Sequence, residues 1–202
     1  MSNVLALDPV VSESENPSHR SLRLLSRLLQ LLFAALLILL VLYLIAAIVV
    51  VVFFSAHVQM NAQGVTLLFG PHGEIPPTMA GMTRFSDQPV ITRVTGVADV
   101  AIAMVPIFFI FWHLRELFGL YAAGTVFARE NANHLKRIGI WLIAYPFAKF
   151  AANMLFRMAG GLDHAWFHMM GVQALVLGLI VVAIAQVMEF GHEIEQEKDS
   201  FV

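Results

Sequence analysis

The feature that most constrains this chain is an apolar stretch from Leu31 to Phe54, LLFAALLILLVLYLIAAIVVVVFF, which contains no charged residue. A helix needs about 20 apolar residues to cross the hydrocarbon core of a bilayer, so the stretch predicts a membrane-spanning helix. Arg20, Arg23 and Arg27 precede it, as in a signal peptide, but the apolar run exceeds the roughly 7–15 residues of a signal core. We therefore expect a retained anchor.

The composition extends this conclusion to the whole chain. Of its 202 residues, 59% are hydrophobic and 13% are charged, and the mean hydropathy is +0.78. Soluble domains carry about 25% charged residues, so the class is integral membrane protein. The net charge of −2 argues against direct nucleic-acid binding, which needs a concentrated basic surface. With no cysteine, disulfides, thiolate metal sites and thiol redox chemistry are excluded.

Three further apolar segments predict additional spans. With residues 31–54, the segments 97–118, 138–156 and 170–190 predict an all-α, four-helix membrane bundle, and the membrane domain covers residues 19–190. We expect a disordered tail at residues 1–18, an interfacial amphipathic run at 19–30 and an acidic cytoplasmic tail at 191–202. In the loop of residues 55–95, the stretch GVTLLFG predicts a short strand.

The basic residues predict the orientation, because Lys and Arg accumulate on the cytoplasmic side of a membrane. With both termini inside, eight basic residues lie on the inner side, three lie on the outer side, and Lys149 lies within a span. The inner set is Arg20, Arg23, Arg27, Arg115, Arg129, Lys136, Arg137 and Lys198, and the outer set is Arg84, Arg93 and Arg157. We therefore expect cytoplasmic termini and an extracytoplasmic loop between spans 1 and 2.

The segment between the second and third spans, GTVFARENANHLKRIG, is dense in polar residues; we call residues 124–139 the hinge. Gly124 is suited to the left-handed conformation that ends a helix. We predict that a new helix begins near Phe127, with position 128 as its cap. Ala128 lacks the side-chain acceptor that Ser or Thr would supply there, a loss of about 1 kcal/mol, and Thr125 is the nearest substitute.

The hinge and the residues before it resemble a family pattern. From Leu114 to Gly139 the chain reads LRELFGLYAAGTVFARENANHLKRIG, which resembles the domain of unknown function 2975 family of bacterial four-span membrane proteins. The matching positions are Leu114, Leu117, Phe118, Tyr121, Gly124, Phe127, Glu130, Asn131, Leu135, Ile138 and Gly139. Ala128 departs from the pattern, which has a hydroxyl residue there. The resemblance implies a multi-pass protein of the bacterial cell (inner) membrane and brings no catalytic residue or cofactor. Members are often encoded beside a small helix-turn-helix regulator, which implies a cytoplasmic protein of that kind as a partner.

Two interpretations of the hinge stay open. It is a structural elbow that fixes the central hairpin, or it is a docking surface for a cytoplasmic partner. Phe127, Asn131, Leu135 and Ile138 recur at helical spacing, which gives the new helix one face toward the membrane or the bundle. Both interpretations are compatible with this spacing.

Charged residues inside spans are candidates for function, because charge is costly in the hydrocarbon core. Lys149 lies in the third span and Asn153 follows four residues later, while Asp99 lies near the outer end of the second span. Three hypotheses stay open: a direct or water-bridged pair of Lys149 and Asp99, Lys149 bound to backbone or Asn partners, and an ion or proton path. Side chains lean toward their helix's N-terminus, so Asp99 leans outward and Lys149 inward, which weakens the pairing hypothesis.

Two sets of residues have the types and spacing of metal ligands. On the outer side, His164 and His168 lie four residues apart and are weak candidates for a metal site, with interfacial polar residues as the alternative. The inner set is His113, Glu116, Glu130 and His134, whose spacing is also usual on solvated helix ends.

The sequence leaves three function classes open. We favour a non-enzymatic regulatory or interaction protein that contacts a cytoplasmic partner through the hinge and the C-terminal tail. A small transporter or channel component would depend on Lys149 and Asp99, and a metal-dependent membrane enzyme would depend on His164 and His168. The lipid bilayer is a partner in each class, and a homo-oligomer is compatible with all three.

Overall fold

Four long helices dominate the fold. The computed structural model describes residues 17–53, 58–61, 64–67, 83–125, 128–160 and 169–199. The helices are α1 (Pro17–Phe53), α2 (Val90–Ala122), α3 (Arg129–Met158) and α4 (Met169–Asp199). Each is long and apolar enough to cross a membrane, which confirms the prediction of four helices of spanning length. Each predicted span falls on one of these helices.

The first and last helices extend beyond the predicted spans. α1 begins at Pro17, so the last two residues of the predicted tail are helical, and residues 1–16 lie outside the described part of the chain. The helix continues without a break through residues 19–30, so the predicted amphipathic run belongs to the same helix as the first span. Its 37 residues are about 55 Å long, whereas a bilayer core is about 30 Å thick. α4 likewise continues to Asp199, so most of the predicted acidic tail is helical.

A small antiparallel sheet lies between α1 and α2 in the chain; the sequence predicts one short strand there but no sheet. Its strands are β1 (Val58–Asn61), β2 (Gly64–Leu67) and β3 (Thr83–Arg84), in the order β2-β1-β3. Val58 pairs with Leu67 and Gln59 pairs with Arg84. β2 falls in the stretch GVTLLFG, so the predicted short strand is confirmed for its first four residues.

The helices pack in chain order: α1 against α2, α2 against α3, and α3 against α4. The described residues show no comparable packing between α1 and α4, so the bundle is open on that side. Among the described residues, half of the eight buried hydrophobic ones are alanines: Ala103, Ala132, Ala152 and Ala185. Small side chains let helix backbones approach closely, and this approach supplies the van der Waals contact that drives helix association in lipid.

Two glycines mark a close approach between α3 and α4. A Cβ atom placed on Gly139 would lie 2.9 Å from the carbonyl oxygen of Gly178 and 2.6 Å from Cγ2 of Val182. A Cβ atom on Gly178 would in turn lie 2.8 Å from the carbonyl oxygen of Gly139. Neither position has room for a side chain, so these glycines set the separation of the two helices.

Candidate functional site

The hinge begins where α2 ends in a glycine turn. The N–H of Thr125 donates to the carbonyl of Leu120 over 3.0 Å, and the N–H of Gly124 donates to the carbonyl of Tyr121 over 3.0 Å. Gly124 has φ +90°, a conformation that side chains disfavour. These paired bonds satisfy the carbonyls at the end of the helix. The prediction that Gly124 ends this helix is confirmed.

The start of α3 lacks a capping side chain, as the sequence predicts. Ala128 occupies the cap position with φ −88° and ψ 151°, and no side chain bonds there. The N–H of Asn131 donates instead to the carbonyl of Ala128 over 3.0 Å. α3 begins at Arg129, so position 128 is the cap and the helix does not begin earlier, at Thr125.

Asn131 ties the two sides of the hinge together, a role that sequence reasoning missed. Its side chain is fully buried, and its Nδ2 donates to the carbonyl of Thr125 over 2.6 Å. The bond links the first turn of α3 to the chain that leaves α2. The sequence feature that could have indicated this bond is the asparagine, since Asn side chains commonly bond nearby backbone groups.

The other positions of the family pattern divide into buried and exposed ones. Leu117 and Ile138 are buried, and Phe118 stacks on Phe33 of α1 with ring centroids 5.6 Å apart. Glu130 is exposed in the first turn of α3, where a negative charge suits the positive end of the helix dipole. Tyr121 and Leu135 are half-buried, and Phe127 lies outside the described residues.

The Glu189 carboxylate in the C-terminal half of α4 contacts the hinge. Oε1 of Glu189 lies 3.9 Å from Nη2 of Arg129, and Oε2 of the same residue lies 3.7 Å from Nζ of Lys136. The Arg129 side chain is 69% exposed, so these long ion pairs sit at the surface and contribute little stability. They nevertheless place the start of α3 beside the end of α4. Sequence spacing did not predict this contact, because it depends on which helices are neighbours.

The charged residues inside the spans form a direct pair. Nζ of Lys149 lies 3.2 Å from Oδ2 of Asp99, with the side chains 32% and 16% exposed. The pair forms despite the opposing lean of the two side chains, because the Lys side chain is long and flexible. Within the described residues, Oδ1 of Asp99 and Oδ1 of Asn153 are buried without a hydrogen-bond partner.

The α2–α3 contact holds a histidine pair at the end near the hinge. Nδ1 of His113 lies 3.3 Å from Nδ1 of His134, and His113 is buried. Of the four residues in the predicted inner set, the structure thus brings the two histidines into contact. The described residues contain no group of three or more His, Cys, Asp and Glu side chains placed to hold a metal ion. His164 and His168 lie outside the described residues, so the outer candidate stays a prediction.

An apolar layer separates the ion pair from the histidine pair. Ala103 and Pro106 of α2 are buried there. Phe109 of α2 stacks on Trp141 of α3 with ring centroids 4.4 Å apart and an interplanar angle of 8°. On α2, about 20 Å of helix lies between Asp99 and His113. The Phe109–Trp141 layer therefore separates the Lys149–Asp99 pair from the His113–His134 pair along the α2–α3 contact.

Comparison with known proteins supports the family resemblance. Residues 72–202 match the family model described as Protein of unknown function (DUF2975). No curated protein and no solved structure matches the chain. The matched region contains α2, the hinge, α3 and α4, well over half of the sequence. The chain therefore belongs to the DUF2975 family of proteins of unknown function.

Proposed function

We propose that this protein is a multi-pass protein of the bacterial cell (inner) membrane with both termini in the cytoplasm. Arginines support the placement: Arg93 and Arg115 flank the apolar part of α2, and Arg137 and Arg157 flank that of α3. Each pair lies about 30 Å apart along its helix, which fits the thickness of a bilayer core. The excess of basic residues at the hinge end supports a cytoplasmic location for that end.

Reporter fusions test this topology. Fusions after residue 18 and after residue 202 should both report a cytoplasmic location, and a fusion near residue 73 should report an external one. An external C-terminus would contradict the four-span orientation.

We propose further that the protein is a non-enzymatic interaction protein whose hinge and C-terminal tail bind a cytoplasmic partner together. The observation that carries this proposal is the contact of Glu189 with both Arg129 and Lys136. It joins the start of α3 to the part of α4 that continues toward the tail. A partner placed on this end would therefore contact both segments at once.

Exposure in the first turns of α3 favours docking over a purely structural elbow. The buried positions of the hinge, such as Asn131 and Ile138, account for a folded elbow. Arg129, Glu130 and Asn133 are exposed beside them. Glu130 belongs to the family pattern although its side chain is not packed in the core. By family resemblance, the partner we propose is a helix-turn-helix regulator.

Co-purification tests the partner proposal. The full chain and a chain lacking residues 191–202 would be purified under mild conditions, and their cytoplasmic partners compared. We expect the partner to be lost from the shortened chain and from Arg129→Glu/Lys136→Glu. Arg157→Gln, which changes an exposed arginine at the opposite end of α3, is the matched control and should retain it. A partner that binds all four chains equally would refute the proposal.

A transporter or channel component is the second candidate, favoured by the pairing of Lys149 with Asp99 inside the spans. A path for ions or protons normally needs polar groups across the bilayer, and the Phe109–Trp141 layer interrupts them here. The discriminating variant is Lys149→Met/Asp99→Asn. If this variant is expressed normally but cells that carry it behave like cells that lack the protein, transport becomes the better-supported function.

A further inference from the structure

The inner corner between α1 and α2 is distinct from the hinge–α4 surface, which is formed by Arg129, Lys136 and Glu189. Nε2 of Gln30 lies 3.0 Å from the position that a Cβ on Gly119 would take. Nη2 of Arg23 lies 3.5 Å from the corresponding position on Gly124. The early turns of α1 thus pack antiparallel against the last turns of α2. The Arg23 guanidinium therefore lies within contact distance of the glycine turn.

Two exposed arginines line this corner. Arg23 and Arg27 lie four residues apart on α1, a spacing that places them on one helix face, and both are exposed. Guanidinium groups bind phosphate oxygens through paired hydrogen bonds. Two of them one turn apart at an exposed glycine turn provide a phosphate-binding surface.

The surroundings of the arginines indicate where the phosphate comes from. Leu22, Leu24 and Leu28 of the same helix segment are exposed beside the arginines. Arg27 and Arg23 precede the charge-free stretch that begins at Leu31 by about 6 and 12 Å along the helix, so their side chains reach the headgroup layer of a bilayer. A free phosphate ion has no apolar surface to pack against exposed leucines, whereas a phospholipid contacts them through its acyl chains.

We propose that the corner formed by Arg23, Arg27 and Gly124 binds the headgroup phosphate of an anionic phospholipid in the inner leaflet. The guanidinium groups bind the phosphate, and the neighbouring leucines contact the acyl chains. Attraction between juxtamembrane basic residues and anionic lipid is worth about 1 kcal/mol per residue near the surface. The site shares only Gly124 with the hinge and uses none of Arg129, Lys136 and Glu189, so it is independent of the proposed partner. Its placement in the inner leaflet rests on the proposed topology.

The test compares lipids on the purified full chain in an uncharged detergent. Phosphatidylglycerol, phosphatidylcholine or inorganic phosphate is added, bound lipid is counted by native mass spectrometry, and the Tm is recorded. We expect phosphatidylglycerol to bind and to raise the Tm. Phosphatidylcholine and inorganic phosphate should do neither. Arg23→Gln/Arg27→Gln should bind phosphatidylglycerol at least about tenfold more weakly, because each lost arginine removes about 1 kcal/mol.

Two further variants separate a specific site from general surface charge. Arg157→Gln removes an exposed arginine at the other end of the bundle and should bind phosphatidylglycerol as the unchanged chain does. Arg23→Lys/Arg27→Lys keeps the charge but loses the paired hydrogen bonds, so its affinity should fall to an intermediate value. It also provides a folded comparison should the Gln variant fail to fold.

The proposal is overturned by any of five results. These are equal effects of phosphatidylcholine and phosphatidylglycerol, protection by inorganic phosphate alone, unchanged affinity in the Gln double variant, an equal loss in Arg157→Gln, and unchanged affinity in the Lys variant.

Discussion

Gly139→Ala tests the close contact of α3 and α4. The added Cβ would lie 2.6 Å from Cγ2 of Val182 and 2.9 Å from the carbonyl oxygen of Gly178. Overpacking a core costs about 1–3 kcal/mol, and we expect the upper end because one of the obstacles is backbone. Replacing Gly by Ala inside a helix returns about 1 kcal/mol through helix propensity. The variant should therefore lose about 2 kcal/mol of unfolding free energy.

The assay is reversible unfolding in mixed detergent micelles, followed by circular dichroism. Gly171→Ala is the matched control, because its Cβ would lie 3.4 Å from Cβ of Pro146, an ordinary contact distance. That variant should be as stable as the unchanged chain or up to about 1 kcal/mol more stable. The loss in Gly139→Ala/Gly178→Ala should be smaller than the sum of the single losses, because both changes separate the same helices. If Gly139→Ala is as stable as Gly171→Ala, the glycine contact does not set the helix separation.

Three further predictions concern the hinge and the α2–α3 contact. Ala128→Thr should add a capping hydroxyl and stabilise the start of α3 by about 0.5–2 kcal/mol, seen as slower amide exchange in its first turn; unchanged exchange would refute the assignment of the cap. Lys149→Met alone should destabilise the protein more than Lys149→Met/Asp99→Asn does in the same unfolding assay, because removing one partner of a buried pair leaves an uncompensated charge. Breaking a fully buried pair costs about 3–5 kcal/mol, and the loss here should be smaller since Lys149 is 32% exposed. His134→Leu should lower the Tm, because Nδ1 of the buried His113 loses the partner that lies 3.3 Å away; an unchanged Tm would show that the histidine contact adds no stability.

The sequence predicted the features that follow local rules. Gly124 was assigned as a helix end because few other residues tolerate a positive φ, and position 128 was assigned as a cap because capping depends on a few consecutive residues. The contact of Gly139 with Gly178 was not predicted. A glycine inside a helix shows no local sign of the neighbour that requires it.

Long-range polar contacts are also hard to predict, because the sequence around a residue does not show which residue of another helix lies beside it. The pairing of Lys149 with Asp99 was one of three open hypotheses, and the direction of the Cβ bonds argued against it. The observed 3.2 Å contact forms because the Lys side chain is long enough to bend back toward its partner. The contacts of Glu189 with the hinge depend on the docking of α4 against α3, which no spacing within one helix encodes.

Packing of the helices in chain order has a consequence for how the protein is assembled. Each helix docks against the one synthesised immediately before it, so its native partner is already in place when it leaves the ribosome. Contacts between chain neighbours form quickly, because little loop entropy is lost in closing them. The described residues include no α1–α4 contact layer that would have to wait for the end of synthesis. We therefore expect assembly to proceed one hairpin at a time, so that the first helix pairs hold native contacts before the C-terminus is synthesised.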